Sequence, residues 1–287
     1  MRLGVAAALV EGVLVAGDVE VDDGRIAAVW LGTGVGSAIA VPGLVDLQVN
    51  GVVGVDLRAA DRSGYADAAS ALARRGATAV QPTFYSQPVE RHAASLARLG
   101  EVLADPPPGC RLLPAHLEGP FLAHARQGAH RSEDLVAPDV AVLEHLLRSG
   151  PVGCMTLAPE LEGALDVVRH LVGSGVVASI GHTDASADQV HAAVAAGARH
   201  VTHCWNAHRP IVARDPGPIG VALSEPRLTV GLIADLVHVS AEVVRLTAAA
   251  AAGLDVPRCL SQVTSDLAVG LGPDVVAGLG DYQYEDA

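Results

Sequence analysis

Aromatic residues are scarce in this chain, whose 287 residues include only two Phe, two Trp and four Tyr. The core must therefore be built from Val, Leu, Ile and Ala, a composition typical of buried parallel strands covered by helices. Basic residues are also few, with 19 Lys and Arg against 32 Asp and Glu, and no stretch gathers them. This charge balance argues against nucleic acid as a partner.

Cysteines are equally sparse, and they lie far apart without any C-x-x-C pair, at Cys110, Cys154, Cys204 and Cys259. This spacing argues against a disulfide scaffold and against a structural zinc knuckle. No uninterrupted apolar run reaches about 18 residues, so the sequence predicts no membrane span. Glu11 interrupts the apolar N-terminal segment, which argues against a secretory signal peptide and favours a cytoplasmic protein.

Apolar segments of strand length alternate with stretches of helical periodicity over most of the chain. Before this alternation begins, residues 13–29 predict a hairpin that turns at Asp22-Asp23-Gly24. The predicted helices are Tyr65–Arg75, Val89–Leu103, Pro138–Arg148, Ala164–Ser174, Ala187–Ala196 and Ala241–Ala252. The predicted strands are residues 44–50, 78–83, 110–118, 153–160, 176–183, 200–204, 228–235 and 259–266.

Eight parallel strands separated by helices are typical of an α/β fold of the (β/α)8 TIM-barrel type. We therefore expect a small N-terminal β element at residues 1–40 and a barrel at residues 41–287. An open doubly wound sheet is the alternative fold.

Polar residues concentrate at the carboxyl ends of the predicted strands. They are Gln48, Asn50, His116, Glu118, Glu160, His182, His203, Asp235, His238 and Asp266. In a TIM barrel these ends converge on one mouth, where active sites lie. No Walker motif, Rossmann glycine fingerprint or G-x-S-x-G elbow occurs at a strand-to-helix turn. The pattern therefore predicts an active site built from side chains at the barrel mouth.

Three of these residues form a ligand set for a catalytic metal. Glu118, His182 and His203 supply one carboxylate and two imidazoles from three strand ends, which suits a divalent metal with an open coordination position. Such a metal lowers the pKa of water and polarises a carbonyl oxygen. Asp266, at the end of the last predicted strand, is placed to accept a proton and pass it to a leaving group. Taken alone, each histidine has a structural alternative as a helix cap or a partner of a backbone carbonyl.

Six short motifs occur in one order along the chain. They are His-Leu-Glu-Gly-Pro-Phe (116–121), Gly-Ala-His (128–130), Ser-Ile-Gly-His-Thr-Asp-Ala (179–185), His-Cys-Trp-Asn-Ala (203–207), Arg-Asp-Pro-Gly (214–217) and Ile-Ala-Asp-Leu-Val-His-Val (233–239). Together with residues 41–51 and 264–266, they closely resemble the N-acetylglucosamine-6-phosphate deacetylase family of the amidohydrolase superfamily. The resemblance implies hydrolysis of the N-acetyl group of N-acetylglucosamine 6-phosphate to glucosamine 6-phosphate and acetate.

The same resemblance implies roles for individual residues. Glu118, His182 and His203 match the family's metal ligands, and Asp266 matches its general base and acid. His130 matches the residue that helps to polarise the acetyl carbonyl. The implied substrate-binding positions, some of them reached across a dimer interface, are Ala129, His130, Asn206, Ala207, Arg214 and His238.

The metal count also follows from the resemblance. Gln48 and Asn50 stand where many amidohydrolases have His-x-His, which implies one divalent metal ion per chain, with zinc favoured. The implied protein is a homodimer that takes a phosphorylated N-acetyl amino sugar. Arg214 suits the phosphate because a guanidinium can donate two hydrogen bonds to it.

The sequence departs from the family pattern at several points. His208 stands where the family usually has methionine, and Leu236 stands where it usually has glycine. Family members also continue past the catalytic aspartate with a helix and strands that complete the N-terminal β element, so we expect that element to be incomplete. Two alternatives follow: an amidohydrolase for a different N-acyl or cyclic amide substrate, and a shortened homologue without catalysis.

Overall fold

The computed structural model describes residues 1–29, 32 and 36–252, and the first part of this range forms short antiparallel hairpins. The strands here are β1 (Ala7–Val10), β2 (Val13–Ala16), β3 (Val19–Asp22), β4 (Arg25–Val29) and β5 (Ile39–Ala40). β1 pairs antiparallel with β2 and parallel with β5, while β3 pairs antiparallel with β4. The turn between β3 and β4 lies at Asp23-Gly24, where the sequence places it. The β1–β2 hairpin, in contrast, was not part of the prediction.

Strands and helices then alternate along the rest of the described chain. The strands are β6 (Leu44–Val49), β7 (Gly51–Val52), β8 (Val55–Asp56), β9 (Ala77–Tyr85), β10 (Arg111–Leu112), β11 (Ala115–Glu118), β12 (Val152–Leu157), β13 (Val177–Ile180), β14 (His200–Val201) and β15 (Thr229–Val230). The helices are α1 (Arg62–Arg74), α2 (Val89–Ala104), α3 (Val140–Ser149), α4 (Ala164–Gly173), α5 (Ala187–Ala196), α6 (Gly217–Ser224) and α7 (Ala241–Ala252). Each predicted helix is present with its ends shifted by at most three residues, whereas α6 was not predicted.

One parallel sheet organises this region. β6 pairs with β9, which pairs with both β10 and β11, and the order continues through β12, β13, β14 and β15. Every pairing in this sheet is parallel. The order is that of a TIM-type barrel, in which consecutive strands are neighbours, rather than that of a doubly wound sheet. The eighth predicted strand, residues 259–266, lies outside the described residues.

Local signals explain where the helices begin and end. α5 begins after Ser186, whose side chain accepts a hydrogen bond from the Gln189 backbone amide, and the Gln189 side-chain oxygen accepts one from the Ser186 backbone amide. This capping box satisfies two amides that the helix itself cannot. The helix ends at Gly197 with φ of 118°, a left-handed conformation that glycine adopts without strain. Asp61 caps α1 in a similar way by accepting from the Gly64 amide.

The core is filled mainly by Leu, Val and Ala, as the scarcity of aromatic residues predicts. Both phenylalanines, Phe84 and Phe121, are fully buried, and so is Tyr65. The Tyr65 hydroxyl donates to the Leu57 carbonyl at 2.8 Å, which removes the cost of burying it. Within the described residues, no helix is both long enough and apolar enough to span a membrane.

Candidate metal centre

Three side chains from the carboxyl ends of three strands of the parallel sheet meet in the interior. Glu118 is the last residue of β11, and His182 and His203 each lie two residues beyond the ends of β13 and β14. All three are buried. Because parallel strands point the same way, their carboxyl ends bring residues distant in sequence to one edge of the sheet.

The atoms of these side chains that could bind a metal lie within hydrogen-bonding distance of each other. Glu118 Oε1 is 3.0 Å from His182 Nε2 and 2.7 Å from His203 Nε2. The two Nε2 atoms are 3.1 Å apart. Ligand atoms placed tetrahedrally around zinc at about 2.0–2.1 Å would be about 3.3 Å apart, so only small shifts separate this cluster from a coordination shell.

Backbone carbonyls fix the tautomers of both histidines. His182 Nδ1 lies 2.9 Å from the Arg126 carbonyl oxygen, and His203 Nδ1 lies 3.1 Å from the Asn206 carbonyl oxygen. A carbonyl only accepts, so each Nδ1 carries the hydrogen and each Nε2 of the neutral ring holds a lone pair. Two lone pairs and a carboxylate oxygen then face one another, an arrangement that a cation stabilises. These residues fit a divalent metal.

His130 lies beside this cluster but presents a different group to it. Its Nε2 is 3.9 Å from Glu118 Oε2, and the donor atoms of Glu118, His130 and His182 all lie within 4.8 Å of one another. Distance alone would therefore include His130 among the ligands. However, the Ser86 amide donates to His130 Nδ1 at 3.2 Å, so the neutral ring carries its hydrogen on Nε2. His130 is accordingly a hydrogen-bond donor at the edge of the cluster.

The electrostatics agree with this division. Burial lowers the pKa of His130 to about 4, so its ring is neutral near pH 7. Burial acts to raise the pKa of Glu118, but when protons rather than a metal occupy the cluster, hydrogen bonds donated by Nε2 of His182 and of His203 hold that pKa well below its usual value. Burial opposes charge on His182, yet the hydrogen bond to Glu118 raises its pKa. The ionised carboxylate thus favours a positive charge between these groups, whether a proton or a metal ion supplies it.

The other predicted site residues take several positions. Ala207 is half-buried. Gly128, which precedes Ala129, lies close to both the cluster and Ala207: a Cβ atom added to it would be 3.3 Å from the His182 ring and 3.8 Å from the Ala207 side chain. The turn that carries Ala129 and His130 therefore borders both the cluster and Ala207.

The side chains of three further predicted residues lie on loops outside the cluster. Arg214 is exposed before α6, and the neighbouring Asp215 pairs with Arg209 at 3.1 Å rather than with Arg214. His238 Nδ1 lies 2.5 Å from Asp235 Oδ2. Asn206 is half-buried, and the nitrogen of its side-chain amide has no hydrogen-bond partner among the described residues. Asp266 lies outside the described residues.

Sequence reasoning missed the groups that set the histidine tautomers. These are the Arg126 and Asn206 carbonyls and the Ser86 amide. Backbone groups occur in every residue, so no residue type signals them. It also missed Arg58, whose guanidinium stacks 3.2 Å above the centre of the Tyr85 ring, next to His130.

The fold and this cluster define a class of protein: a TIM-type β/α barrel with a buried carboxylate and two imidazoles at the carboxyl ends of its strands. No protein-family model matches the chain. It is 34% identical over 252 residues to the N-acetylglucosamine-6-phosphate deacetylase of Vibrio furnissii, covering 85% of this chain and 61% of the relative. It is 35% identical over 251 residues to that of Homo sapiens, covering 83% and 60% respectively.

A solved structure agrees with these relatives. A mutant N-acetyl-D-glucosamine-6-phosphate deacetylase from Mycobacterium smegmatis, in complex with N-acetyl-D-glucosamine-6-phosphate, superposes with a TM-score of 0.80 at 34% identity, covering 88% of this chain and 68% of that one. The chain therefore belongs to the N-acetylglucosamine-6-phosphate deacetylase family. It spans about 60% of the length of the curated relatives described above.

Proposed function

We propose that the chain hydrolyses the N-acetyl group of N-acetylglucosamine 6-phosphate, giving glucosamine 6-phosphate and acetate. Membership of the family supports the choice of substrate. The observation that carries the proposal is the convergence of Glu118 Oε1 and the Nε2 atoms of His182 and His203, all within 3.1 Å. Burying such a set of acceptor atoms costs free energy unless a positive charge pairs with them, and the set suits a catalytic cation.

The proposed cofactor is one divalent metal ion per chain, with zinc favoured, held by Glu118, His182 and His203. When bound, it would supply Lewis acidity and lower the pKa of water. The donor set of two neutral imidazoles and one carboxylate is common for catalytic zinc.

His130 and Asp266 are proposed to act on the reacting amide. The His130 Nε2–H is directed by the Ser86 amide at its other nitrogen, so it can donate to the acetyl carbonyl oxygen without carrying charge. Asp266 is proposed to take a proton from the attacking water and return it to the departing amine nitrogen.

The remaining predicted residues are proposed to hold the substrate. Arg214, whose guanidinium is exposed, would bind the phosphate, and the sugar would contact Ala129, Asn206, Ala207 and His238. We further propose that residues 1–40 form the small β element and residues 41–287 the barrel. We also propose that the protein is a homodimer in the cytoplasm.

One observation favours a second candidate, an amidohydrolase for a different N-acyl substrate. His208 is buried with its ring centre 6.1 Å from that of His203. Its Nε2 donates to the Thr202 carbonyl at 2.9 Å, whereas its Nδ1 has no partner among the described residues. A hydrogen-bond acceptor near a metal ligand could favour a substrate with an additional donor group.

The test is metal analysis combined with a deacetylation assay on the purified chain and on Asp266→Asn. We expect about one zinc ion per chain and equal release of acetate and amine. Asp266→Asn should keep its metal and lose roughly 10²–10⁴-fold in kcat, because it cannot accept the proton. Metal binding without turnover of this substrate would favour the second candidate or a homologue without catalysis. A chain that takes up no metal would exclude both metal-dependent activities.

A further inference from the structure

We infer that Glu160 is a positioning residue that holds the metal ligand His182 in place, assisted by the Arg126–Asp184 ion pair. The inference rests on the proposed function only in treating His182 as a ligand. Glu160 lies in the loop after β12, whereas His182 lies in the loop after β13. Among the described residues, the Glu160 carboxylate hydrogen-bonds to Thr183 and Asp184 rather than to the three proposed ligand atoms.

The backbone of His182 needs such support. Its φ is 48°, in the left-handed region that residues with a side chain adopt at a cost. A conformation of this kind persists only where surrounding contacts determine it, and such residues cluster at functional sites. Without those contacts the chain after β13 would relax, and the imidazole would leave the position that it shares with Glu118 and His203.

Glu160 supplies two of these contacts on the C-terminal side of His182. Its Oε2 accepts from the Thr183 hydroxyl at 2.5 Å, and its Oε1 accepts from the Asp184 amide at 2.6 Å. The Thr183 hydroxyl also accepts from the Ala185 amide at 3.0 Å, so one carboxylate orders three consecutive residues after the ligand. Hydrogen bonds to an ionised carboxylate are short and about twice as strong as neutral ones.

Arg126 makes two further contacts with the same segment. Its carbonyl accepts from His182 Nδ1, and its side chain pairs with Asp184 Oδ1 at 2.8 Å. The Ala123 amide donates to the His182 carbonyl at 3.0 Å. The ion pair is partly exposed, so solvent weakens it and its contribution should be smaller than that of Glu160.

The experiment measures the zinc affinity of the full chain by competition with a chromophoric chelator, together with the unfolding midpoint of the metal-free protein. Glu160→Ala should weaken zinc binding about 10–100-fold, the range found when outer-shell partners of metal ligands are removed. Glu160→Gln keeps one acceptor oxygen and should lose less. Arg126→Ala should lose about fivefold or less. Glu162→Ala is the matched control, because Glu162 is exposed two residues away, and it should bind zinc as the wild type does.

The graded series separates positioning from general destabilisation. The inference is supported if zinc affinity is lowest in Glu160→Ala, intermediate in Glu160→Gln and highest in the wild type. The unfolding midpoint of the metal-free protein should not fall in the same order. If Glu160→Ala does not fold, Glu160→Gln decides: an affinity equal to that of the wild type overturns the inference. Wild-type protein that binds no zinc overturns the proposed function as well, whereas zinc binding that Glu160→Ala leaves unchanged overturns the inference alone.

Discussion

At the scale of single residues, the cluster is ordered by the partner of each histidine's Nδ1. His182 and His203 face carbonyl oxygens and so direct lone pairs inward, whereas His130 faces the Ser86 amide and directs an N–H inward. The two imidazoles of the cluster thus present lone pairs, as proposed metal ligands must, and the neighbouring His130 presents a hydrogen-bond donor. The residue types alone could not have shown this division.

Loss of the Arg214 guanidinium should weaken binding of the 6-phosphorylated sugar in particular. Its guanidinium is exposed, and Asp215 is already paired with Arg209, so a structural role for Arg214 through Asp215 is not supported. Arg214→Ala should raise KM for the 6-phosphorylated amino sugar about tenfold or more, because a bidentate charged contact is lost. KM for the unphosphorylated sugar should change little, and steady-state kinetics with both sugars measures the difference.

A matched variant makes this result specific. Arg227 is also exposed, pairs with Glu225, and precedes β15 at the amino end of that strand, away from the strand ends that carry the cluster. Arg227→Ala should leave both KM values unchanged. Equal losses on the two sugars in Arg214→Ala would instead identify Arg214 as a structural residue.

At the scale of elements, three hairpins have the same type of two-residue turn, but the turn residues predict only one of these hairpins. The turns are Glu11-Gly12, Asp23-Gly24 and Val53-Gly54, and both residues of each have positive φ. Asp-Gly is a strong signal for this turn because Asp tolerates the left-handed region. Glu and especially Val do not, so β1–β2 and β7–β8 could not be predicted from their turn residues.

The β7–β8 turn yields a stability prediction. Val53 is β-branched, has φ of 50°, and leaves 56% of its surface exposed, so it is strained and contributes little packing. Val53→Asn should raise the free energy of unfolding by about 1 kcal/mol, because Asn suits this turn position. Urea unfolding of both proteins measures the change, and Asp23→Asn, at a turn already well suited, should show almost none. A less stable Val53→Asn would show that the valine packs in a way that outweighs its strain.

At the scale of the whole molecule, the order of strands and the three proposed ligands were predictable from the sequence. Strand-end polar residues mark Glu118, His182 and His203 because parallel strands collect their carboxyl ends at one edge. Helix α6 was not predictable from its own residues, since Gly217, Pro218 and Gly220 are typical of loops. Packing of Ile219 and Val221 into the core stabilises that helix instead.

Four buried histidines and the half-buried His200 make the stability of the whole fold depend on pH. Burial, the largest cause in each case, lowers the pKa of His116 and His130 to about 4 and that of His92, His200 and His208 to about 3. In the unfolded chain these pKa values return to about 6.5, so below that pH the unfolded state binds more protons than the folded state. The free energy of unfolding should therefore fall as the pH falls from about 6.5 towards 4, by up to about 1.4 kcal/mol per pH unit for each histidine.

His92 isolates this effect from the metal centre, because its Nε2 accepts from the Gln87 amide at 3.3 Å and it is not one of the proposed ligands. We expect His92→Gln to reduce the slope of unfolding free energy against pH, between about pH 6.5 and 5, by up to about 1.4 kcal/mol per unit. Urea unfolding of the metal-free wild type and variant over this range measures both slopes, and His124→Gln, where the imidazole is exposed to water before unfolding, is the control. Identical slopes for wild type and His92→Gln would mean that His92 gains its proton without unfolding the protein, and the acid sensitivity would then have to arise at the remaining buried histidines.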